Sequence, residues 1–398
     1  MPTPGTRSAT DDYPFLFDDH HRAVAELAAS VAPRLEGLDD EGETDPNGAG
    51  RKAIDILGES GLLNYCVPPE FVATGPKGGV KGTLDVRALC LVREEIAIVS
   101  GLADGMVALQ ALGSYPVALA GSDEQKRDFL PRVASGKSIA AFAMTEREAG
   151  SDAAAISLKA VKIAGGWALT GEKVFISNAG LADGYVVFAR TGEDGPRGLS
   201  AIFVDPAKLS SGTLRATPTP MIAPHPLGSV RFDAACVPAA NLLGTEGEGL
   251  KIALSTLDVC RATVGAAANG FARRALGDAI TRTKSRVQFG KPLADEPGVQ
   301  AILAECATDL DAARLLVYRA AWAKDHGQPR ITREAAEAKL FATEAAQRIV
   351  DQALQLHGGL GVTKGVAVER LYREVRSLRI YEGASEVQRV VIGRSVTR

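Results

Sequence analysis

At 398 residues the chain exceeds one ordinary domain, so two or three domains around sizeable cores are expected. Its 46% hydrophobic and 23% charged residues are those of a folded globular protein and argue against disorder. With 45 basic against 48 acidic side chains and a net charge of −3, no overall field points to nucleic acid or an anionic membrane. No apolar run reaches the roughly 20 residues of a membrane span.

The opening stretch, Met1 to Asp19, is acidic and punctuated by proline. It has neither the apolar core of a signal peptide nor an Arg-rich amphipathic pattern, and reads as a short disordered arm leading into a cytoplasmic protein. Helix follows. Val24, Leu27, Ala28, Val31 and Leu35 recur at three- and four-residue spacing, which draws one apolar stripe. Helical text continues around Leu84–Ala120, and Ser122-Asp123-Glu124-Gln125 has the N-cap and acidic first turn of a new helix.

The texture changes near Ile139. Short β-branched and aromatic runs (Lys159–Ile163, Trp167–Thr170, Tyr185–Ala189, Ser200–Val204 and Val230–Phe232) are separated by Gly165-Gly166, Gly180 and Gly195-Pro196. They predict a small antiparallel β domain. After the glycine-rich Gly244–Gly249 the text is helical again, with a stripe of Phe341, Ala345, Ile349, Ala353 and Leu356 ended by Gly358-Gly359 as a C-cap. The division is therefore helical 1–138, β 139–243 and helical 244–398.

Five scattered cysteines (Cys66, Cys90, Cys236, Cys260, Cys306) show no C-x-x-C pair and read as reduced core residues. His20 and His21 are adjacent, so on a helix they diverge by about a quarter-turn and form no i,i+4 ligand pair; no metal site is expected. Gly136-Lys137-Ser138 ends like a phosphate-binding loop, but Pro131 stands where that motif needs glycine. Neither Gly358–Gly361 nor the Gly244 loop follows a strand in a βαβ unit, which leaves a Rossmann site unsupported. The G-x-S-x-G elbow is absent.

Four segments remain. They are Phe142-Ala143-Met144-Thr145-Glu146-Arg147-Glu148-Ala149-Gly150-Ser151-Asp152, Gly171-Glu172-Lys173-Val174-Phe175-Ile176-Ser177-Asn178, and Arg286-Val287-Gln288-Phe289-Gly290-Lys291-Pro292. The last runs from Gln355-Leu356-His357-Gly358-Gly359 to Ile380-Tyr381-Glu382-Gly383-Ala384-Ser385-Glu386. In this order, within an α, β, α plan, they resemble the signatures of the acyl-CoA dehydrogenase family, over nearly the whole chain from Asp18 to Arg394.

The resemblance implies an α+β fold: an N-terminal helical domain, a middle antiparallel β domain and a C-terminal four-helix bundle. It also implies FAD. Taken alone, Thr145, Ser177 and Phe175 read as strand-edge hydroxyls and a core aromatic. The resemblance makes them hydrogen-bond and pack against the flavin, with Phe142 and the peptide groups of Met144, Gly150 and Ser151 completing that wall. Arg286, otherwise a solvated arginine, would cross a dimer interface to the FAD pyrophosphate, where a guanidinium offers a forked contact. Gln288 and Phe289 would lie beside it. Gln355, Gly358 and Gly359 would meet the diphosphate or ribityl region, with Ala384 and Glu386 near the flavin. Ser151, Asp258, Arg261 and Gly383 would meet the substrate.

Glu382 stands where the family places the base that removes the α-proton of an acyl thioester, the β-hydrogen leaving as hydride to give the trans-2-enoyl thioester. Burial would raise its pKa toward what the task needs. The alternative base position of one family branch is Cys260 here, a poor substitute. The implied partners are an acyl-CoA, an electron-transfer flavoprotein as acceptor, and further copies of the chain in a homodimer or dimer of dimers. A carrier-protein-linked acyl group, or an oxygen-using oxidase or monooxygenase, stays open.

There are departures. Phe175 replaces a Trp, Ser177 a Thr, Ala384 a Thr and Glu386 a Gln. Glu296-Pro297 stands where an aromatic and a Gln are usual, and Met221–Ser229 is short and proline-rich. Pro297 has no N–H to donate, which puts an adenine-side contact in doubt.

Overall fold

The computed structural model describes residues 7–72 and 82–397. The helices are α1 (Ala9–Asp12), α2 (Asp19–Val31), α3 (Leu38–Gly42), α4 (Pro46–Glu59), α5 (Val86–Ala97), α6 (Gly101–Ala120), α7 (Asp123–Ala134), α8 (Gly249–Ser285), α9 (Pro297–Asp325), α10 (Thr332–His357), α11 (Ala367–Leu378) and α12 (Ser385–Val396). The strands are β1 (Ala140–Ala143), β2 (Lys159–Ile163), β3 (Gly166–Ser177), β4 (Gly184–Arg190), β5 (Leu199–Val204), β6 (Leu214–Pro218), β7 (Leu227–Pro238), β8 (Leu242–Leu243), β9 (Val287–Gln288) and β10 (Lys291–Pro292). They form two compact units. One is Met1–Glu36, Val86–Asp104 and Asp258–Arg398; the other is Gly37–Asp85 and Gly105–Leu257.

In the first unit, described residues of the segment read as a disordered arm are packed. Tyr13 donates to Asp311 at 3.0 Å, Arg314 donates to Asp12 at 2.7 Å, and Phe17 meets the Tyr318 ring edge-on at 4.9 Å. These partners lie about 300 residues away in sequence, out of reach of any local pattern; residues 1–6 of the arm lie outside the described residues. On α2 the side chains of Val24, Ala28 and Val31 are buried as expected. The helix stops at Val31 because Pro33 follows, and Leu35 is buried from a 3-10 turn instead. His21 Nδ1 accepts the Asp18 N–H in a capping box, and the His20 and His21 rings come within 3.8 Å rather than diverging.

Every residue of α5 is buried, including Arg87, Arg93, Glu94 and Glu95. Charges so placed need partners. Arg87 Nε donates to Asp325 at 2.8 Å, Arg93 makes two 2.8 Å bonds to Asp104, and Arg273 reaches Glu94 at 3.0 Å and Glu95 at 2.7 Å. α10 packs against α9, α11 and α12. Ala345, Ile349 and Ala353 are its buried face, with Phe341 and Leu356 half-exposed at the margins of the stripe.

In the second unit, α7 starts on the expected cap: Ser122 Oγ accepts the Gln125 N–H at 3.2 Å and Gln125 accepts the Ser122 N–H at 2.7 Å. The sheet runs β6-β7-β3-β2-β4-β5-β8, with β1 paired to β4. It is mainly antiparallel, but β1 and β4 are parallel. The chain between them detours through the β2–β3 hairpin, and that excursion is what lets β4 return in the same direction. β3 is longer than the sequence runs suggest and absorbs Gly171–Ser177. Cys66, Cys90, Cys260 and Cys306 are buried, but Cys236 is exposed. It lies between buried Ala235 and Val237 on β7, and the two-residue period of a strand turns it outward.

Candidate active site

A bulge on β3 shapes the β unit's candidate surface. The β3–β7 ladder shifts register between Lys173 and Ile176, leaving Val174 and Phe175 outside it. The Val174 N–H donates to the Thr145 carbonyl at 2.9 Å instead. Phe175 takes φ +54 and is 64% exposed, so it is no core residue. A left-handed, solvent-facing aromatic is unfavourable in isolation, and bulges recur where a strand re-aims a side chain at a site. Phe142, on β1, is half-buried against Phe188 at 4.7 Å. Ser177 shares its hydroxyl with His225 Nε2 at 2.8 Å, and burial pushes the His225 imidazole down to about 4, so it is neutral near pH 7. Gly150 and Ser151 are exposed, beyond a bridge between Glu146 and Ala149.

A buried ion pair fixes this surface from behind. Lys173 Nζ donates to the Met144 carbonyl at 2.9 Å and to Glu146 Oε1 at 2.8 Å. Glu146 also accepts the N–H groups of Ser157 at 2.7 Å and Leu158 at 2.9 Å. Burial pushes Lys173 down to about 8 despite Glu146. Burial also pushes the Glu146 carboxyl up, but the Lys173 charge and the backbone donors outweigh it and hold it below the usual range. Lys173→Met should therefore lower the unfolding free energy by about 3 kcal/mol near pH 7, because it strands a buried carboxylate. A carboxylate of lowered pKa stabilises the fold above its unfolded pKa and loses that contribution on acidification, so the deficit should shrink toward about pH 4. Urea unfolding at the two pH values checks both statements.

The second candidate surface belongs to the helical unit and centres on Glu382. Glu382 and Gly383 lie at φ +52 and +91 just before α12. Both carbonyls are held: Gln388 Nε2 donates to Glu382 O at 3.2 Å and Gly383 O at 2.8 Å, Arg261 Nε to Glu382 O at 3.3 Å, and Lys339 Nζ to Gly383 O at 2.8 Å. Glu382 is half-buried as a residue, yet its Oε2 is buried and accepts no hydrogen bond among the described residues. Burial pushes the carboxyl up. Arg93, Lys339 and Arg261 oppose this and Asp104 adds to it, and the net shift is upward. A left-handed non-glycine carrying an unpartnered buried carboxylate oxygen is the kind of strain that functional sites store.

The remaining residues divide between neighbours and isolated positions. Asp258 pairs with Arg261 at 3.3 Å, the i,i+3 pair that the sequence allowed, and also accepts from Thr332 at 2.6 Å. Cys260 is buried. Ala384 caps α12 without a side-chain bond, and exposed Glu386 lies 3.3 Å from Arg389. Arg286 is exposed just past α8, before a two-residue hairpin. Gln288 pairs with Lys291 there, so Phe289 and Gly290 form the loop at φ +50 and +82, and Phe289 is 95% exposed. Pro297 opens α9 at a position that needs no N–H. Gln355, Gly358 and Gly359 are exposed at the end of α10. A Cβ at Gly359 would meet nothing within 4 Å, so packing within the chain does not require glycine there.

Family models of the acyl-CoA dehydrogenase N-terminal, middle and C-terminal domains match residues 18–137, 141–235 and 247–397 in order. The chain belongs to the acyl-CoA dehydrogenase family. It is accordingly an oxidoreductase. It is 35% identical over 376 residues to the cyclohexane-1-carbonyl-CoA dehydrogenase of Geobacter metallireducens, covering 92% of this chain and 93% of that protein. The butyryl-CoA dehydrogenase structure from Megasphaera elsdenii superposes with a TM-score of 0.87 at 31% identity, covering 96% of this chain and 99% of the other. A glutaryl-CoA dehydrogenase from Mycobacterium smegmatis in complex with FADH2 gives 0.85 at 26% identity and covers 97% of each chain.

For this acyl-CoA dehydrogenase the sequence reading missed Arg93, Lys339, Gln388 and His225. Arg93 and Lys339 sit in ordinary helical text, where nothing marks a charged residue as buried. His225 had one signal, the prolines on either side of it, which stiffen the loop that delivers it.

Proposed function

We propose that this acyl-CoA dehydrogenase desaturates the α,β-bond of an acyl-CoA thioester to the trans-2-enoyl product, with Glu382 removing the α-proton. FAD, the family's cofactor, supplies the acceptor for the β-hydrogen, which leaves as hydride. The chain's own residues fit that group. Phe175 and Phe289 are aromatic side chains held out of their own cores by left-handed backbone, and Gly359 leaves its backbone open to close approach. Phe142, Met144, Thr145, Gly150, Ser151, Phe175 and Ser177 would hold the ring region, with Ala384 and Glu386 near it. Arg286, Gln288, Phe289, Gln355, Gly358 and Gly359 would hold the diphosphate side.

The observation that carries the reading is the buried, unpartnered Oε2 of Glu382. Its raised pKa makes the carboxylate a stronger base than an exposed glutamate. Among the described residues the Glu382 N–H also has no hydrogen-bond partner, so it is free to polarise the thioester carbonyl as enolate charge develops. Asp258, Arg261, Gly383 and Ser151 would bind the CoA-linked substrate. Domains 1–138, 139–243 and 244–398 share this work in a homodimer or dimer of dimers in the cytoplasm, with an electron-transfer flavoprotein as electron acceptor.

Purified protein should be yellow, carry about one FAD per chain, and bleach on anaerobic titration with acyl-CoAs of graded length. The chain length that bleaches at lowest concentration identifies the substrate class. A colourless protein that cannot be reconstituted with FAD overturns the proposal.

A further inference from the structure

Lys339 lies within α10 with its side chain fully buried, an expensive place for an ammonium. Its Nζ donates to the Gly383 carbonyl at 2.8 Å. Gln388 reaches the same oxygen at 2.8 Å, so that carbonyl would stay satisfied without the lysine. What Lys339 adds is a positive charge behind the turn in which Glu382 and Gly383 both have positive φ. We propose that Lys339 is a positioning residue for Glu382, its ammonium adding a charge-assisted hold on the Gly383 carbonyl beside the neutral Gln388 bond and so fixing the left-handed turn that presents the carboxylate. The inference rests on the reading of Glu382 as the base.

The surrounding charges single out Lys339. Glu382 is faced by Arg93 on α5, Asp104 on the first turn of α6, Arg261 on α8 and Lys339 on α10. Arg93 is committed to Asp104 at 2.8 Å and Arg261 to Asp258 at 3.3 Å. Lys339 is faced by Glu382, Arg261, Glu344 on α10 and Glu386 on α12, and among the described residues no carboxylate lies at ion-pair distance from it. Its charge is thus directed at the turn. Burial pushes its pKa down to about 8 despite the carboxylates, so the ammonium loses its proton at mildly alkaline pH. The rate of flavin reduction should then rise with pH as Glu382 ionises and fall again above about 8, where the neutral Lys339 amine still donates to Gly383 but without charge assistance.

The test is anaerobic stopped-flow flavin bleaching of the holoenzyme across that pH range for the parent, Lys339→Met, Lys339→Arg and Glu382→Gln. Lys339→Met should fold, since Gln388 keeps the carbonyl bonded. It should lower kcat about tenfold or more with little change in KM, and it should abolish the alkaline limb. Lys339→Arg should recover most of the rate, also without an alkaline limb, because guanidinium does not titrate there. Urea unfolding supplies a readout independent of activity. A lysine whose folded pKa, about 8, lies below its ordinary 10.5 makes the parent gain stability as pH rises between those values, and Lys339→Met should lose that gain.

If Glu382→Gln is slow but folded Lys339→Met bleaches at the parental rate with its alkaline limb intact, the positioning role is wrong and the base assignment stands. If Lys339→Met does not fold, a retained alkaline limb in Lys339→Arg overturns the proposal by itself. Fast bleaching by Glu382→Gln overturns the base assignment and the Lys339 role together.

Discussion

Glu382→Gln should slow reduction of bound FAD by an acyl-CoA at least about 10²-fold while leaving fold and FAD content near parental. Glutamine keeps the shape and the reach of the side chain but has no basic oxygen to take a proton. The turn itself should survive. It is held through the carbonyls of Glu382 and Gly383 by Gln388, Arg261 and Lys339, and none of those bonds involves the Glu382 carboxylate. The same geometry sets the sign of the pH dependence. Burial raises the Glu382 pKa, so the parental rate should climb with pH through that raised value as the carboxylate forms. The residual rate of Glu382→Gln should lack this acidic limb. Stopped-flow bleaching over pH measures both, and a variant as fast as the parent with a good acyl-CoA would remove Glu382 from the mechanism.

Fold and site were legible in the sequence to different depths, for physical reasons. β2 and the Ser122 cap of α7 are local facts, set by a short run that Gly165-Gly166 ends and by one side chain reaching one N–H, and they stand as read. The reading of a disordered arm failed over its described residues because Tyr13 and Asp12 are ordered by Asp311 and Arg314, far along the chain. Phe175 shows the same limit on a strand. Its sequence context is that of a core aromatic, and only the register shift against β7 turns it outward. Charged residues on α5 and α10 were the least legible of all. Arg93 and Lys339 are buried with nothing in the sequence to mark them, because burial of a charge is decided by which helices pack there. No periodicity encodes that.

Phe289 offers the other large effect, and its sign separates ligand binding from folding. The hairpin puts Phe289 in a left-handed loop position with its ring 95% exposed, where the described residues provide it with no packing. Left-handed backbone costs an L-residue roughly 1–2 kcal/mol, a cost glycine avoids while losing more chain entropy on ordering. Phe289→Gly should accordingly leave the stability of FAD-stripped protein unchanged or raise it by up to about 1 kcal/mol. If the ring serves FAD and a second copy of the chain, as Arg286 beside it is proposed to do, the same substitution should weaken both. An aromatic contact contributes about 0.5–1.5 kcal/mol beyond its buried area, so the FAD dissociation constant should rise by about tenfold. The dimer should dissociate at correspondingly higher protein concentration. Fluorescence of released FAD and sedimentation across a dilution series measure the two, and Arg286→Ala should move both in the same direction. A Phe289→Gly protein that keeps FAD and assembly at parental levels would leave the exposed ring unexplained and would remove the hairpin from the cofactor site.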